Sequence, residues 1–324
     1  MTTEGAPTTY RALICDLDGV VYRGSSPVPY AVEALVGVRA QVHYATNNAS
    51  RPPGEVAAHL RDLGLPCADS EVTTSSEAGA WLLSRGSAPP QRVLAVGGPG
   101  VALALERAGF TVVLPRDAQH TPAVDAVLQG YGRDVTAADL AEAAYAVQAG
   151  ACWVATNTDS TLPTDRGVAP GGGSLVSAVA GAVGRGPDAV AGKPHPTIYE
   201  LALERLSLTA GEVLAIGDRL ETDIEGALAT GMASLFVLTG VDSLEDVLRA
   251  EPRMRPTYIR ADLADLATQL THEALDGPLT GVVRRAWGQL DDARAAGASS
   301  AQFETALTQA IEAARRVLDG DTAR

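Results

Sequence analysis

The sequence predicts an α/β fold built on a doubly wound, mainly parallel sheet. Short apolar runs alternate with longer amphipathic stretches along the 324 residues, which is the pattern of strands joined by helices. Several apolar runs end in Asp, Thr, Asn or Gly, as expected where strands reach the ligand-binding edge of an open sheet. The length allows about two domains, or one large domain with an insertion.

Four strands of the main sheet can be placed from their apolar runs. They are predicted at 11–15, 41–45, 212–216 and 235–238. The first run ends in Asp16, the second in Thr46 and the third in Gly217-Asp218. A helix is predicted at 56–63, because Ser50 and two early prolines precede its periodic pattern as a cap and a helix start would.

A second α/β set occupies the middle of the chain. Its strands are predicted at 92–96, 123–129 and 152–155, and its helices at 101–108 and 137–149. Domain insertions enter at exposed loops, and Gly/Pro/Ser-rich stretches at 84–90 and 181–187 are suited to be hinges. We therefore predict a domain at 79–187 inserted into a first domain made of 8–78 and 188–270.

After residue 270 the pattern changes to Ala-rich helix. Residues 271–324 are therefore predicted to form a helical C-terminal extension. Its last helix follows two serine cap candidates, and its apolar residues recur at helical spacing at Phe303, Leu307, Ile311 and Ala314/Leu318. We interpret this stripe as a packing face or a homodimer face rather than a cofactor site.

The composition favours a cytoplasmic globular enzyme. The formal net charge is −14 and no Lys/Arg-rich run is present, which argues against a nucleic-acid partner. No run of 18 apolar residues and no signal-peptide pattern is visible, so neither a membrane span nor secretion is expected. Cys15, Cys67 and Cys152 form no CxxC pair and are interpreted as buried small hydrophobes in a reducing compartment.

The segment Ile14-Cys15-Asp16-Leu17-Asp18-Gly19-Val20 carries the strongest chemical signal. Two carboxylates two residues apart in an extended chain point to the same side. They follow an apolar strand, at the edge where open α/β sheets bind ligands, and Gly19 allows close backbone approach. The alternative is an Asp-rich turn with Asp18-Gly19 as its corner.

The segment Gly217-Asp218-Arg219-Leu220-Glu221-Thr222-Asp223 repeats this arrangement. The alternative is a strand-to-helix loop in which Asp223 interacts with a helix dipole. If both segments converge, like charges about 4 Å apart repel by about 4 kcal/mol at an effective dielectric constant of about 20. A divalent cation removes this repulsion, and an all-oxygen ligand set favours Mg²⁺ over zinc.

Two further segments are suited to an anion. Thr46-Asn47-Asn48 offers a hydroxyl, amides and a following helix N-terminus, which together can hold a phosphate or can simply cap the helix. Lys193 is the only lysine among 25 lysines and arginines. An ammonium is a compact point charge that meets a phosphate closely, although an Arg-rich composition could leave one lysine by chance. We assign structural or orienting roles to His43 and His195, which flank these positions.

These segments, in this order, resemble the haloacid dehalogenase-like (HAD) phosphatases, and in particular their NagD-like branch. The resemblance covers residues 10–260. It implies a Rossmann-like HAD core with an inserted α/β cap of the C2 type at 79–187. It also implies that Asp16 is the nucleophile, Asp18 the general acid/base, and Mg²⁺ the cofactor.

The resemblance assigns the remaining site residues by position. The metal ligands it implies are Asp16, the Asp18 main-chain carbonyl and Asp218, with Asp223 orienting the metal's surroundings or Lys193. The residues it implies for phosphate or substrate binding are Gly19, Thr46, Asn47, Asn48 and Lys193.

The segment 155–163 resembles the family's substrate-facing cap loop. This likeness implies substrate contacts from Asn157, Asp159 and Leu162, although the first two residues could instead cap the loop. The Leu162-Pro163 form is similar to family members that act on glycerol 3-phosphate and phosphoglycolate. The expected partner is thus a small phosphorylated metabolite, with glycerol 3-phosphate first and phosphoglycolate, nucleotides and pyridoxal phosphate as alternatives.

Three rival activities share parts of this pattern. A dehalogenase would use Asp16 but would not need Asp18 or the later acidic pair. A phosphomutase uses the same Asp pair but retains the phosphoryl group. A receiver domain surrounds a phosphorylated Asp with acidic residues, Thr and Lys, but has no large insertion. Release of phosphate from small phosphomonoesters separates these activities.

Overall fold

Strands and helices alternate along the chain in the computed structural model, which describes residues 9–121, 123–164, 166–268 and 270–321. The strands are β1 (Ala12–Cys15), β2 (Tyr22–Arg23), β3 (Ser26–Pro27), β4 (Gln41–Thr46), β5 (Val72–Thr74), β6 (Arg92–Val96), β7 (Thr111–Val113), β8 (Ala126–Gln129), β9 (Cys152–Ala155), β10 (Thr161–Thr164), β11 (Gly167–Pro170), β12 (Ala189–Val190), β13 (Val213–Gly217), β14 (Ala233–Val237) and β15 (Tyr258–Arg260). The α-helices are α1 (Ala31–Gly37), α2 (Pro53–Asp62), α3 (Ser75–Ser84), α4 (Pro99–Arg107), α5 (Ala137–Gln148), α6 (Gly172–Val183), α7 (Thr197–Leu206), α8 (Glu225–Ala229), α9 (Leu244–Arg249), α10 (His272–Leu275), α11 (Pro278–Ala295) and α12 (Ser300–Asp321). A π-helical turn at Leu220–Ile224 precedes α8.

The chain divides into two compact units, residues 1–42 with 208–324 and residues 43–207. In the first unit β1, β13, β14 and β15 are adjacent in that order, and each neighbouring pair is parallel. On the other side of β1, the N–H of Gln41 at the start of β4 donates to the Arg11 carbonyl oxygen at 3.1 Å. All four residues of β1 are completely buried, as expected for a parallel strand covered on both faces.

The C-terminal helices α11 and α12 pack against the core of the first unit. Leu307 and Ala314 of α12 are 1% and 0% exposed and join a cluster that contains Phe236 of β14 and Trp287 of α11. The Trp287 indole N–H donates to the Val247 carbonyl oxygen at 2.9 Å. The apolar stripe of α12 is therefore a packing face, which is one of its two predicted uses.

In the second unit five parallel strands form a sheet in the order β12-β9-β8-β6-β7. Strand β5 pairs in parallel with β4, and β10 and β11 form an antiparallel hairpin. Trp153 of β9 is completely buried, and its indole N–H donates to Gln129 Oε1 at 3.0 Å. The Trp153 ring is thus buried in the second unit with its indole N–H hydrogen-bonded to the buried Gln129 side chain.

The predicted fold class is confirmed: parallel sheets alternate with helices and a helical segment follows them. The strands predicted at 92–96 and 152–155 coincide with β6 and β9. The helix predicted at 56–63 is α2, which begins earlier, at Pro53, and the predicted cap at Ser50 is wrong because the N-cap is Pro52. The boundaries proposed for the inserted domain, 79–187, stay a prediction.

The interpretation of all three cysteines as buried is wrong for one of them. Cys15 and Cys67 are buried, but Cys152 is exposed. The cause is the short neighbouring strand: β12 has two residues, which pair with Val154 and Ala155 and leave the first residue of β9 uncovered.

His43 belongs to a buried hydrogen-bond chain in the second unit. Its Nε2 lies 2.8 Å from Thr73 Oγ1, and the Arg205 guanidinium donates to the same hydroxyl oxygen at 2.9 Å. Burial, with a smaller effect of Arg205, lowers the pKa of His43 to about 3. The imidazole is therefore neutral and can accept a hydrogen bond from the Thr73 hydroxyl, which is a structural role, one of the two roles that we predicted.

Within the described ranges, no helix has the length and apolar character to span a membrane.

The packing of α12 gives a test of the C-terminal extension. Leu307→Ala removes a side chain that is 1% exposed, and we expect it to lower the free energy of unfolding by about 2–5 kcal/mol. Urea unfolding followed by circular dichroism measures this change. Gln309→Ala, at an exposed position of the same helix, is the control and should change stability little. Equal effects of the two variants would show that the stripe does not stabilise the first unit.

Candidate active site

The turn after β1 carries Asp16 and Asp18. The Asp16 N–H donates to the Ile216 carbonyl oxygen at 2.9 Å, which extends the pairing of β1 with β13. The Gly19 N–H donates to the Tyr22 carbonyl oxygen at 2.8 Å, and Gly19 has a φ of +91° that favours glycine. The Asp16 side chain is half-buried and that of Asp18 is exposed. Backbone geometry thus determines where both carboxylates emerge.

Asp218 and Asp223 are held by main-chain N–H groups. Asp223 Oδ2 accepts the N–H groups of Asp218 and Arg219 at 3.3 and 3.1 Å. Asp218 Oδ2 accepts the Val241 N–H at 2.7 Å. A Cβ on Gly217 would lie 2.1 Å from the Cβ of Asp223. The glycine before Asp218 is therefore required for the loop to fold back on itself.

Three carboxylates of the first unit form a group suited to a cation. Asp16, Asp218 and Asp223 each offer one oxygen, and these oxygens lie within 4.8 Å of one another. Like charges about 4 Å apart repel by about 4 kcal/mol at an effective dielectric constant of about 20, and a cation offsets this cost. Since all donors are oxygens, the group fits Mg²⁺. The Asp18 side chain is not a member of this group, and a contribution from its main-chain carbonyl stays a prediction.

The thiol beside the first aspartate is not a competing nucleophile. Cys15 is completely buried in β1. Burial, and to a lesser degree the neighbouring Asp16, raises the pKa of the Cys15 thiol far above its usual range. A thiol that stays protonated cannot attack an electrophile, so Cys15 contributes packing alone.

In the second unit Thr46 ends β4, and the residues after it form a turn. The Asn48 N–H donates to Thr46 Oγ1 at 3.1 Å. Asn48 Oδ1 accepts the Ser50 N–H and hydroxyl at 3.0 and 2.9 Å. These are local side-chain contacts of the kind that shape turns. They give the Asn48 side chain a role in shaping this turn, but not the predicted helix cap, because α2 has Pro52 as its N-cap and no side-chain cap hydrogen bond.

Lys193 is held by Asn47 through both ends of its main chain. The Lys193 N–H donates to Asn47 Oδ1 at 2.8 Å, and Asn47 Nδ2 donates to the Lys193 carbonyl oxygen at 3.0 Å. The Lys193 ammonium donates to the Ala45 carbonyl oxygen at 3.1 Å, and the residue is 3% exposed. A Cβ on Gly192 would lie 2.6 Å from Asn47 Oδ1. The Gly192-Lys193 pair is therefore matched to this amide.

The predicted cap loop also contacts Asn47. Asn157 Nδ2 donates to the Asn47 carbonyl oxygen at 2.7 Å, and Asn47 Nδ2 donates to Asp159 Oδ2 at 3.1 Å. The Asp159 N–H donates to Asn157 Oδ1 at 3.1 Å. These contacts favour the capping alternative for both residues. Leu162 lies in the β10–β11 hairpin and is half-buried.

Both hydrogens of the Asn47 side-chain amide are engaged by these contacts. A phosphate contact from Asn47 would therefore come from its main-chain N–H. Assignment of Gly19, Thr46, Asn48 and Lys193 to phosphate binding stays a prediction.

The sequence interpretation missed the residues that follow β14. Val241 binds the Asp218 carboxylate, and Asp242 Oδ2 accepts the Leu220 N–H at 2.7 Å. The pKa of the Asp242 carboxyl is raised above its ordinary value, mainly by burial. A signal was available, because these residues follow a predicted strand, as Asp16 and Asp218 do.

Comparisons with known proteins place the chain in one family. A haloacid dehalogenase-like hydrolase model matches residues 13–111, and a HAD-hydrolase-like model matches residues 190–266. The D-glycerol 3-phosphate phosphatase of Mycobacterium tuberculosis is 48% identical over 254 residues, which are 78% of this chain and 70% of that protein. The acid sugar phosphatase of Staphylococcus aureus is 36% identical over 264 residues, 81% of this chain and 98% of that protein.

Solved structures agree with these sequence matches. The crystal structure of glycerol phosphate phosphatase from Mycobacterium tuberculosis in complex with magnesium aligns with a TM-score of 0.75 and 45% identity, covering 81% of this chain and 79% of that one. The parallel sheets, the carboxylate group after β1 and β13 and these likenesses agree with one another. The chain belongs to the haloacid dehalogenase-like hydrolases.

Proposed function

We propose that the protein is a Mg²⁺-dependent phosphatase that hydrolyses a small phosphomonoester through an aspartyl-phosphate. The observation that carries this proposal is the group of Asp16, Asp218 and Asp223 oxygens within 4.8 Å of one another after β1 and β13. Such a group supplies a nucleophile beside a cation site, which is the minimum that this chemistry needs.

In the first step a carboxylate oxygen of Asp16 attacks the phosphorus of the substrate. A bond forms between this oxygen and phosphorus, and the bond from phosphorus to the leaving oxygen breaks. Asp18, in its carboxylic acid form, gives its proton to the leaving alkoxide. The exposure of the Asp18 side chain suits it to this proton transfer.

In the second step water attacks the phosphorus of the aspartyl-phosphate. The Asp18 carboxylate takes a proton from this water, and the bond between phosphorus and the Asp16 oxygen breaks. Inorganic phosphate leaves, Asp16 is again a carboxylate, and Asp18 is again protonated for the next turnover.

Charge on the phosphoryl oxygens must be balanced in both steps. Asp16, the Asp18 carbonyl and Asp218 would hold Mg²⁺, which supplies electrostatic stabilisation of that charge when bound. Asp223 keeps Asp218 in place through its hydrogen bond to the Asp218 N–H. Lys193 and Thr46 would bind the phosphoryl oxygens, with Lys193 oriented by Asn47.

Glycerol 3-phosphate is the substrate that we propose first. The support is the 48% identity to the Mycobacterium tuberculosis D-glycerol 3-phosphate phosphatase. The 36% identity to the acid sugar phosphatase makes sugar phosphates the second class to test. We further propose that residues 79–187 act as a cap that selects the leaving group, with Leu162 in contact with it. A cytoplasmic location and a homodimer stay predictions.

A substrate panel tests the activity and the substrate together. We expect Mg²⁺-dependent release of phosphate from glycerol 3-phosphate at a higher kcat/KM than from phosphoglycolate, sugar phosphates, nucleotides or pyridoxal phosphate. Chelation with EDTA should abolish release, and added Mg²⁺ should restore it, as measured by a colorimetric phosphate assay. Stable phosphorylation without turnover would contradict the phosphatase assignment. A requirement for a bisphosphate activator would instead indicate a mutase.

Asp16→Asn tests the nucleophile. The neutral amide cannot form the acyl phosphate, so we expect kcat to fall by about 10³-fold or more while the circular dichroism spectrum is unchanged. Asp292→Asn, at an exposed position of α11, makes the same change of charge and should leave kcat as it is. A near-normal rate in Asp16→Asn would remove Asp16 from the nucleophile role.

Lys193→Arg tests the need for an ammonium. The longer planar head does not fit where Lys193 is 3% exposed and donates to Ala45. We expect kcat/KM to fall by about 10²–10³-fold, the loss typical of one preorganised donor. Arg107→Lys, at an exposed position of α4, is the control for an Arg/Lys exchange. Unchanged catalytic efficiency in Lys193→Arg would mean that this lysine is an accident of composition.

A further inference from the structure

The loop after β14 is hydrogen-bonded to two other loops of the first unit. The first aspartate loop follows β1 and carries Asp16 and Asp18, and the second aspartate loop follows β13 and carries Asp218 and Asp223. We define this 239–242 loop as Thr239, Gly240, Val241 and Asp242. Toward the second aspartate loop, the Val241 N–H donates to Asp218 Oδ2 at 2.7 Å. The Asp242 N–H donates to the Asp218 carbonyl oxygen at 3.2 Å. Both the side chain and the main chain of Asp218 are thus held by adjacent residues of one loop.

A third hydrogen bond joins the two loops, and here the 239–242 loop supplies the acceptor. Asp242 Oδ2 accepts the Leu220 N–H at 2.7 Å, so Asp242 binds the chain two residues beyond Asp218. Three hydrogen bonds therefore connect residues 241–242 with residues 218–220. A loop attached this way restrains the rotation of the Asp218 side chain as well as its position.

Toward the first aspartate loop, Thr239 makes the connection. Thr239 Oγ1 donates to the Gly19 carbonyl oxygen at 2.7 Å. The Arg23 guanidinium donates to the Thr239 carbonyl oxygen and, at 3.3 Å, to the Gly240 carbonyl oxygen. Because Gly19 follows Asp18 directly, the same loop also restrains the turn that carries Asp16 and Asp18.

Two glycines enclose the Asp218 carboxylate. A Cβ on Gly240 would lie 1.8 Å from Asp218 Oδ2, and a Cβ on Gly19 would lie 2.4 Å from the same oxygen. Real Cβ atoms do not approach an oxygen so closely. Asp218 is completely buried, and a shift of its carboxylate would break the hydrogen bond that Oδ2 accepts from the Val241 N–H. Any side chain at Gly240 must therefore displace the carboxylate or the loop.

We propose that the 239–242 loop is a positioning element for the metal site, with Gly240 and Thr239 as its positioning residues. The loop places the Asp218 carboxylate relative to Asp16 and lowers the cost of bringing the two charges together. This inference rests on the proposed function, because it takes Asp218 as a metal ligand. Outer partners of metal ligands typically contribute about 10- to 100-fold to metal affinity. A plain turn after β14 would contribute to folding but not to metal affinity.

The test measures Mg²⁺ affinity and stability separately. Thermal unfolding of each variant is recorded against Mg²⁺ concentration without substrate, which gives a dissociation constant and the stability of the metal-free protein. The Mg²⁺ dependence of phosphate release is a second readout. We expect Gly240→Ala to raise the dissociation constant for Mg²⁺ by about 10- to 100-fold. Thr239→Val, which keeps the side-chain volume but loses the bond to Gly19, should weaken binding in the same direction, and Thr239→Ser should restore it.

Two further variants make the outcomes distinguishable. Gly288→Ala is the matched control, since among the described residues no heavy atom outside the adjacent residues and the nearby backbone of α11 lies within 4 Å of a Cβ built there, and it should leave Mg²⁺ affinity unchanged. Asp218→Asn tests the metal site itself: normal Mg²⁺ affinity in this variant would overturn the proposed function. Loss of affinity in Asp218→Asn together with wild-type affinity in folded Gly240→Ala would overturn the loop inference alone. If Gly240→Ala does not fold, wild-type Mg²⁺ affinity in Thr239→Val overturns it.

Discussion

Mutual repulsion among Asp16, Asp218 and Asp223 is the constraint on which the rest of the first unit depends. Each carboxylate is close to two others, and two of them are buried, so each must be held against its neighbours. Main-chain N–H groups do this for Asp218 and Asp223. Because these N–H groups belong to the loops after β13 and β14, the sheet itself sets the spacing of the charges. The parallel sheet therefore positions the carboxylates at a spacing suited to a cation.

In the second unit the buried charge is positive: it is the ammonium group of Lys193, a residue that is 3% exposed. Asn47 pairs with the main chain of Lys193 in the way one strand pairs with another, and this leaves the ammonium to be directed by Ala45. The same amide reaches Asp159 of the loop after β9. A change in that loop can therefore reach Lys193 through a single side chain, that of Asn47.

Sequence pattern was sufficient for the parallel strands and for the residues directly after them, because strand ends in such sheets meet at one edge. It predicted that Asp16 and Asp218 would lie close together, and their carboxylate oxygens do so, whereas the phosphate-binding role of Lys193 stays a prediction. It could not show that the Asn47 amide faces the Lys193 main chain, since that contact joins residues 146 positions apart. Thr239 and Gly240 were missed for the same reason: their partner Gly19 is 220 residues away from Thr239, and a Thr-Gly pair alone is an ordinary turn.

The burial of the only lysine has a practical consequence for the chemistry of this protein's surface. A chain with one lysine that is 3% exposed presents almost no ε-amine to solvent. Amine-reactive dyes and crosslinkers will therefore modify this side chain slowly. Acylation of Lys193 would require the second unit to open locally. Its rate then reports how often the buried ammonium becomes accessible.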